Sequence, residues 1–241
     1  MTLISISTST FGQFKLNIDA VVLGLLRDRQ IIKEDLDDRK KVVEFFFTEY
    51  EIMDFIDSLV TIGNNQRNQK ERIKTFKKVT KDSDCEKCDK TYIFYSDLLA
   101  KTINKSSRLE FSKMWAEPNS KKIYLTEVKQ SSIRTKDQQI SFIIGAFLRF
   151  GTFNSGPTYT IKLYRAQSKF DLIETVLNKL DCQIIKKDIE QGTDIETDKI
   201  HLGMMTIEFK PSLTVESELL KLRPLKSKLA DKRNAYLQRE D

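Results

Sequence analysis

The chain is poor in histidine and cysteine, the residues most often used as nucleophiles, proton carriers and zinc ligands. It has one histidine, His201, and three cysteines. Cys85 and Cys88 have the spacing Cys-x-x-Cys, but a structural zinc ion usually needs four ligands. Only Cys182 and His201 could complete that set, and both lie far along the chain. We therefore interpret Cys85 and Cys88 as ordinary loop thiols, and we predict no metal and no cofactor. Three cysteines also indicate a reducing compartment rather than a disulfide scaffold.

The composition excludes further classes. The sequence has no Gly-x-Ser-x-Gly motif and no phosphate-binding loop, so nucleophilic and nucleotide-dependent enzymes lack their usual machinery. Its 241 residues are 39% hydrophobic and 32% charged, and no run of 18 apolar residues occurs. We predict one or two soluble domains and no membrane partner. A net charge of +6 favours a polyanionic partner.

Positive charge is concentrated in residues 66–81. Seven cations stand there against one acid, Glu71: Arg67, Lys70, Arg72, Lys74, Lys77, Lys78 and Lys81. Like charges at this density repel one another, and a bound polyanion would offset that repulsion. Strand alternation would place Arg72, Lys74, Phe76 and Lys78 on one face. The basic C-terminal tail, residues 223–241, is either a further phosphate-binding arm or a frayed helix.

Two apolar helices would position these residues, and each has a glycine in its interior. The first begins after Asn17, a suitable N-cap, continues to Arg29 and contains Gly24. The second covers residues 137–151 and contains Gly145. Glycine within a helix costs about 1 kcal/mol relative to alanine, so its presence usually indicates close approach of another backbone. We predict that the two helices pack against each other at Gly24 and Gly145.

The elements predicted around these helices recur about 120 residues apart. Each half follows the order αββαββα, which predicts an α+β protein whose sheets are covered by helices on one face. Phe45 to Phe47 correspond to Lys162 to Tyr164, and Tyr92 to Phe94 correspond to Thr206 to Phe209. The predicted organisation is an N-terminal arm (1–16), a first repeat (17–104), a connector (105–136), a second repeat (137–222) and the tail (223–241).

This pattern resembles the LAGLIDADG homing-endonuclease superfamily in its single-chain, two-repeat form. The residues that carry the resemblance are Phe142 to Gly151 in the second helix. With the run Pro157 to Leu163, they also resemble the LAGLIDADG-like domain of WhiA-type bacterial transcription regulators. The resemblance implies two αββαββα units paired through their motif helices. Together they would form a pseudo-two-fold saddle of antiparallel sheets that grips duplex nucleic acid.

The same resemblance indicates that nuclease chemistry is lost. In the nucleases the eighth motif residue of each helix is an acid that binds divalent metal. Alignment on glycine places Arg29 and Phe150 at these positions, and neither side chain offers the carboxylate oxygen that Mg²⁺ prefers. Asp28 is adjacent, but one residue turns a helical side chain by about 100°. We predict a nuclease-like fold with no catalytic residues.

Binding residues are predicted from strand alternation and charge. In the strand 158–165, Tyr159, Ile161 and Leu163 should face the helices, and the alternate side chains should face the groove. The complete set of predicted nucleic-acid-binding residues is Lys33, Arg72, Lys74, Lys77, Lys78, Lys162, Tyr164, Arg165, Lys186 and Lys210. Contacts of these residues with phosphates would make affinity depend on salt.

The sequence therefore predicts a catalytically inactive, LAGLIDADG-like protein that binds nucleic acid. We expect RNA, with the chain acting as an intron-splicing helper or as part of a ribonucleoprotein such as an organellar ribosome. The alternatives are a metal-dependent homing endonuclease with relocated acids, Asp28 among them, a DNA-binding regulator, and a scaffold for another protein. Internal pseudo-dimerisation predicts a monomer. A mitochondrion or plastid would fit the reducing compartment.

Overall fold

The chain folds into helices and antiparallel sheets, seen in a computed structural model that describes residues 15–27, 29–32, 40–65, 68–80, 91–111, 122–164, 166–193 and 200–238. The helices are α1 (Ile18–Leu25), α2 (Tyr50–Asn64), α3 (Asp97–Ser106), α4 (Lys136–Phe150), α5 (Gln167–Lys179), α6 (Leu213–Leu220) and α7 (Arg223–Leu237). The strands are β1 (Arg29–Ile32), β2 (Lys41–Phe46), β3 (Phe76–Thr80), β4 (Thr91–Tyr95), β5 (Ser107–Phe111), β6 (Lys122–Val128), β7 (Gly151–Phe153), β8 (Tyr159–Tyr164), β9 (Gln183–Thr193) and β10 (Ile200–Lys210). The predicted α+β class is confirmed.

The strands form three sheets in the described part of the chain. The first sheet has the order β2-β4-β3, the second has the order β7-β8-β10-β9, and the third has the order β1-β6-β5. Every adjacent pair is antiparallel. Two of the strands in the third sheet, β5 and β6, come from the segment predicted as a connector, so residues 105–136 contribute regular structure that pairs with β1.

Helices α1 and α4 lie at the centre of the protein and pack along each other. All described side chains from Gln139 to Arg149 are buried, and α1 is buried almost throughout its length. A helix that is apolar on every side must be surrounded by other elements. The core is built around this pair, with the helix-covered faces of the first and second sheets contributing Phe45, Phe94 and Phe209.

The two interior glycines meet at the α1–α4 contact, as predicted. A Cβ atom on Gly24 would lie 2.2 Å from the carbonyl oxygen of Phe142, and one on Gly145 would lie 2.0 Å from that of Val21. Gly24 thus faces Phe142, which lies three residues before Gly145, and Gly145 faces Val21, which lies three residues before Gly24. Backbone atoms cannot move aside as a flexible side chain can, so both positions require glycine.

Helix caps follow the sequence. The Asn17 side chain accepts a hydrogen bond from the Ala20 N–H at 2.9 Å, and Ser96 accepts one from Leu99 at the start of α3. The Asn17 cap was predicted, and at both helix starts a short oxygen-bearing side chain satisfies one of the first free amides. The Asn17 N–H in turn donates to the Ser141 hydroxyl at 2.9 Å, which joins the start of α1 to α4.

The first apolar helix is shorter than predicted. We expected it to continue to Arg29, but α1 ends at Leu25, and Arg29 lies in β1 paired with Leu125. Leu26 has an extended backbone, and its carbonyl is bound by a cation from α5. Consequently Arg29 does not occupy a helix position equivalent to that of Phe150, which is the last residue of α4.

Most of the C-terminal tail, for which the sequence left open a phosphate-binding arm or a frayed helix, is a regular helix. Residues 223–237 form α7, with proline in the first turn where its missing N–H costs nothing. Tyr236 packs edge-to-face on Phe47 with ring centroids 4.8 Å apart. Lys232 pairs with Glu51 of α2. Helix α7 therefore packs against the α2 region of the chain.

In the described residues, no helix has both the length and the apolar character needed to cross a bilayer.

Candidate functional site

The carboxyl ends of α1 and α4 meet at a cluster of charged side chains, which we call the junction: Arg27, Glu49, Arg149, Lys169, Lys226 and Arg233. The last carbonyls of a helix lack partners within it and carry partial negative charge. They therefore attract cations. At the junction these cations come from the chain itself.

Arg149 is the centre of the junction. Its side chain is 1% exposed. One terminal nitrogen donates to the Leu25 carbonyl at the end of α1 at 2.8 Å, and the other donates to the Glu44 carbonyl in β2 at 2.6 Å. The guanidinium also donates to both carboxylate oxygens of Glu49, at 2.9 and 3.3 Å. Arg149 thus joins α4 to the end of α1, to β2 and to the turn before α2.

Glu49 is the buried acid of the junction, with a side chain 4% exposed. It lies in the 3₁₀ turn Phe47–Glu49, which places it directly before α2, and it accepts the Phe46 N–H at 3.1 Å. Besides Arg149, the guanidiniums of Arg27 and Arg233 lie 3.5 and 3.7 Å from its oxygens. Three cations against one anion leave an excess of two positive charges.

Two lysines bind further carbonyls at the helix ends. Lys169 at the start of α5 donates to the Leu26 carbonyl, and its ammonium lies 4.7 Å from the centre of the Phe150 ring. Lys226 of α7 donates to the Leu148 carbonyl at 3.2 Å. Both helix ends therefore receive hydrogen bonds from side chains in distant parts of the sequence.

The pKa values at the junction reflect its burial and its excess positive charge. Burial, followed by the charge of Arg149, lowers the pKa of Arg27 to about 10. Burial, followed by the charge of Arg233, lowers the pKa of Lys226 to about 8. For Glu49, burial raises the pKa, but the charge and hydrogen bonds of Arg149 outweigh it, so the net shift is downward. An anion that approached Arg27 or Lys226 would stabilise its charged form and raise its pKa.

The first sheet presents two aromatic residues to solvent near the junction. Phe46 and Phe76 are each 50% exposed. The Arg27 guanidinium lies 4.0 Å from the centre of the Phe46 ring, so the junction and this sheet are continuous. Phe76 stacks in parallel on Tyr95, with centroids 4.6 Å apart and 2° between the planes. Lys78 is exposed on the same strand as Phe76.

The second sheet follows the predicted alternation except at Thr160, which was expected to face the groove but is buried and donates to Asn154. Tyr159, Ile161 and Leu163 are buried, and Lys162 and Tyr164 are exposed. On this sheet, charges of both signs lie side by side. Lys186 pairs with Asp188 at 3.3 Å, and Glu208 accepts a hydrogen bond from the Thr158 hydroxyl at 2.8 Å.

Some predicted binding residues lie where the sequence placed them, and others do not. Lys78, Lys162, Tyr164, Lys186 and Lys210 are exposed strand residues. Arg72 and Lys74 are exposed too, but they precede β3, which begins only at Phe76, so the proposed shared strand face does not extend to them. Lys33, Arg165, Asp28 and the pair Cys85 and Cys88 lie outside the described residues.

Lys77, which was predicted to bind nucleic acid, is engaged within the fold. Its ammonium contacts Asp54 at 2.9 Å and Asp57 at 3.0 Å, both on α2. Strand alternation turns Lys77 to the opposite face from Lys78. Burial lowers the pKa of Lys77, but its hydrogen bonds to the two aspartates raise it more. Lys77 therefore holds the sheet to its helix.

Sequence reasoning missed the junction. Its strongest signal was Arg149, a single charge within the apolar run Phe147 to Phe150. Such a residue on a helix that is buried all round must be paired. The partner, Glu49, is 100 residues away and carries no motif, so only the fold identifies it. In the sequence, nothing distinguishes Arg233 and Lys226 from the other cations of the basic tail.

No known protein family matches this sequence, and no curated protein matches it. Within the described residues, no group of three or more His, Cys, Asp or Glu side chains is arranged to hold a metal ion. Cys182 is buried, with its sulfur 4.0 Å from the Ser212 hydroxyl, and burial raises the pKa of its thiol.

Proposed function

We propose that this chain is a catalytically inactive, LAGLIDADG-like protein that binds nucleic acid. Its ligand is RNA, and its role is that of an intron-splicing helper or of a component of a ribonucleoprotein. The observation that carries the proposal is the junction, where an excess of two positive charges surrounds Glu49 and both Arg27 and Arg233 are partly exposed. A phosphate group is the ligand that such a site would attract.

The helix contact supports the proposed likeness. Gly24 faces Phe142 and Gly145 faces Val21, so the same contact occurs in both directions. A relation of this kind is expected where two similar units meet through their first helices. The elements also recur in order, with α1-β1-β2-α2-β3-β4-α3 followed later by α4-β7-β8-α5-β9-β10-α6.

The strand order adds to this support and also marks a departure. The first sheet runs β2-β4-β3, and the second contains the corresponding series β8-β10-β9. In the second sheet β7 pairs with β8, but in the first half β1 pairs with β6 instead. The two units proposed here are therefore alike in three strands and differ in the fourth.

The proposed loss of catalysis rests on the groups present where the helices end. Helix α4 ends at Phe150, and the preceding Arg149 directs its guanidinium to the end of α1. The nearby carboxylate, Glu49, is bound by guanidinium groups on both oxygens. A carboxylate that is occupied in this way offers no oxygen to a divalent metal, which requires anionic or neutral oxygen ligands.

The proposal is tested by measuring how the purified chain binds a stem-loop RNA and a duplex DNA. A variant with Arg27→Ala and Arg233→Ala should bind both more weakly, and the slope of log affinity against log salt should decrease by about two. Lys221→Ala is the matched control, because Lys221 is an exposed cation paired with Glu218 on α6. Equal slopes for the wild type and the double variant would contradict a role for the junction.

A cleavage assay with added Mg²⁺ separates this function from that of a nuclease. We expect intact nucleic acid at all metal concentrations. Cleavage that is lost in Asp28→Ala would instead establish the alternative of relocated acids.

A further inference from the structure

The open face of the first sheet carries two aromatic rings. Phe46 pairs with Thr91 of β4, and Phe76 pairs with Tyr95 of the same strand. Because Thr91 and Tyr95 are four residues apart, they point to the same side of the sheet. Phe46 and Phe76 therefore share one face, and α2, which binds Lys77, covers the other.

Each ring has one stacking partner, and each residue is 50% exposed. The Arg27 guanidinium lies against Phe46, and Tyr95 lies parallel to Phe76. Support of this kind fixes the ring, so that little side-chain entropy remains to be lost when a flat ligand stacks on it. The exposed part of each ring is then a preformed stacking surface.

Among the described residues, the cations around the rings outnumber the acids on this face, which favours an anionic ligand. The exposed carboxylate of Glu44 lies on the same face, two residues before Phe46, and is paired with Lys41 at 2.6 Å. Lys78 lies on the same face of β3 as Phe76 by strand alternation, and Lys74 and Arg72 are exposed just before that strand. Arg27 adds a cation beside Phe46. Exposed aromatic rings interspersed with cations match a ligand that carries flat bases on a phosphate backbone.

The spacing indicates separate contacts with two bases. Phe46 and Phe76 lie two strands apart and four residues apart along the strands, which corresponds to about 16 Å. Adjacent stacked bases are only about 3.4 Å apart. In a duplex, the faces of the bases are already covered by their neighbours, so rings of this kind can be used only by bases that are unpaired.

We propose that Phe46 and Phe76 form a platform for unpaired nucleobases, so that the ligand of this protein is a nucleic acid with single-stranded segments. This inference rests on the nucleic-acid binding proposed above and narrows its ligand class. The second sheet lacks a comparable supported pair among its described residues, and Lys186 and Glu208 on it are accompanied by charges of the opposite sign or by hydroxyl donors.

The test compares a single-stranded RNA oligonucleotide with a perfect duplex of the same sequence. Phe46→Leu and Phe76→Leu remove each ring but keep an apolar side chain of similar size. Each should weaken binding of the single strand about tenfold and leave duplex binding unchanged, because one base–aromatic stack is lost. Phe46→Tyr and Phe76→Tyr should restore the affinity. The same measurements with DNA oligonucleotides show whether the platform distinguishes the two sugars.

Leu213→Ala provides the control for a loss of exposed apolar surface, since Leu213 is 85% exposed on α6. Thermal unfolding curves of all variants check that the fold is kept. Leucine variants that bind the single strand as the wild type does would overturn the platform while leaving nucleic-acid binding intact. A wild-type chain that binds neither oligonucleotide would overturn both proposals.

Discussion

The first and second sheets share a strand series and differ in what they present to solvent. β2-β4-β3 and β8-β10-β9 are arranged alike, and each sheet buries one face under helices. Among the described residues, the first sheet exposes two aromatic side chains, Phe46 and Phe76, whereas the second exposes one, Tyr164. Each sheet also carries a lysine paired with a carboxylate, Lys41 with Glu44 and Lys186 with Asp188. Similar backbones can thus carry surfaces of different character. We infer that the two sheets contribute unequally to ligand binding.

The difference continues at the junction. The first half supplies its carboxylate, Glu49, and the second half supplies the guanidinium of Arg149 that enters the end of α1. The α1–α4 contact at Gly24 and Gly145, which we call the seam, is the same in both directions. The junction is not, because the two helices supply different groups to it. We infer that the seam stabilises the fold and that the charged groups of the junction serve the function.

The largest effect is expected at the seam on which both sheets depend. Gly145→Ala would place a Cβ atom 2.0 Å from the Val21 carbonyl oxygen, so α1 and α4 must separate. We expect a loss of about 4 kcal/mol or more in the free energy of unfolding, beyond the usual range for overpacking. Urea denaturation measures this. Gly156→Ala is the control, because no atom lies within 4 Å of its added Cβ. A Gly145→Ala protein as stable as the control would show that the seam is misplaced.

The next effect is at the centre of the junction. Arg149→Met removes four hydrogen bonds and leaves buried acceptors at Leu25, Glu44 and Glu49. The expected loss is about 3 kcal/mol, at the lower end for a broken buried pair, because Arg27 and Arg233 remain beside Glu49. Chemical denaturation of Arg149→Met, Glu49→Gln and the double variant gives the coupling energy. Strictly additive effects would mean that the two side chains do not interact.

A smaller, pH-dependent effect is expected from Lys226. Its pKa in the folded protein is about 8, below the value of about 10.4 for an unfolded chain. Between these pH values the unfolded state binds more protons, so stability should rise with pH, by at most about 3 kcal/mol. Stability measured from neutral to alkaline pH should show this rise in the wild type and not in Lys226→Met. Parallel curves for the two proteins would argue against a buried ammonium at this position.

The smallest effects distinguish the two faces of β3. Lys78→Met should reduce the slope of log affinity against log salt by about one, because a phosphate contact is lost. Lys77→Met should leave that slope unchanged and lower stability by about 0.5 kcal/mol, because Lys77 contacts Asp54 and Asp57. The two lysines are adjacent and chemically identical, so each serves as the control for the other. If Lys77→Met reduced the slope and Lys78→Met did not, the face of β3 that carries Lys77 would be the one that binds the ligand.

Local patterns in the sequence predicted much of the fold. The glycines within apolar helices, the Asn17 cap and the alternation of Tyr159, Ile161 and Leu163 each reflect physics that acts over a few residues. The end of α1 was predicted four residues too far along, because that end is set by Arg149 and Lys169, more than a hundred residues away. The junction was missed for the same reason, since Arg149 and Glu49 form a site only once α4 and the turn before α2 are brought together.

The same limit explains why the contacts of Lys77 were not predicted. Composition showed that residues 66–81 are basic, but it did not show that β3 begins at Phe76 or that α2 presents Asp54 and Asp57 to it. Charge density along a sequence predicts that a region can attract a polyanion. It does not determine which cations are already bound within the fold.

The most direct test of the central claim is the affinity of the wild-type chain for a stem-loop RNA with an unpaired loop, measured at increasing salt. If the chain binds phosphates through the junction and the first sheet, log affinity should fall linearly with log salt, by about a hundredfold between roughly 50 and 200 mM. Failure to form a complex at the lowest salt concentration, or an affinity that stays constant across this range, would contradict nucleic-acid binding by this protein.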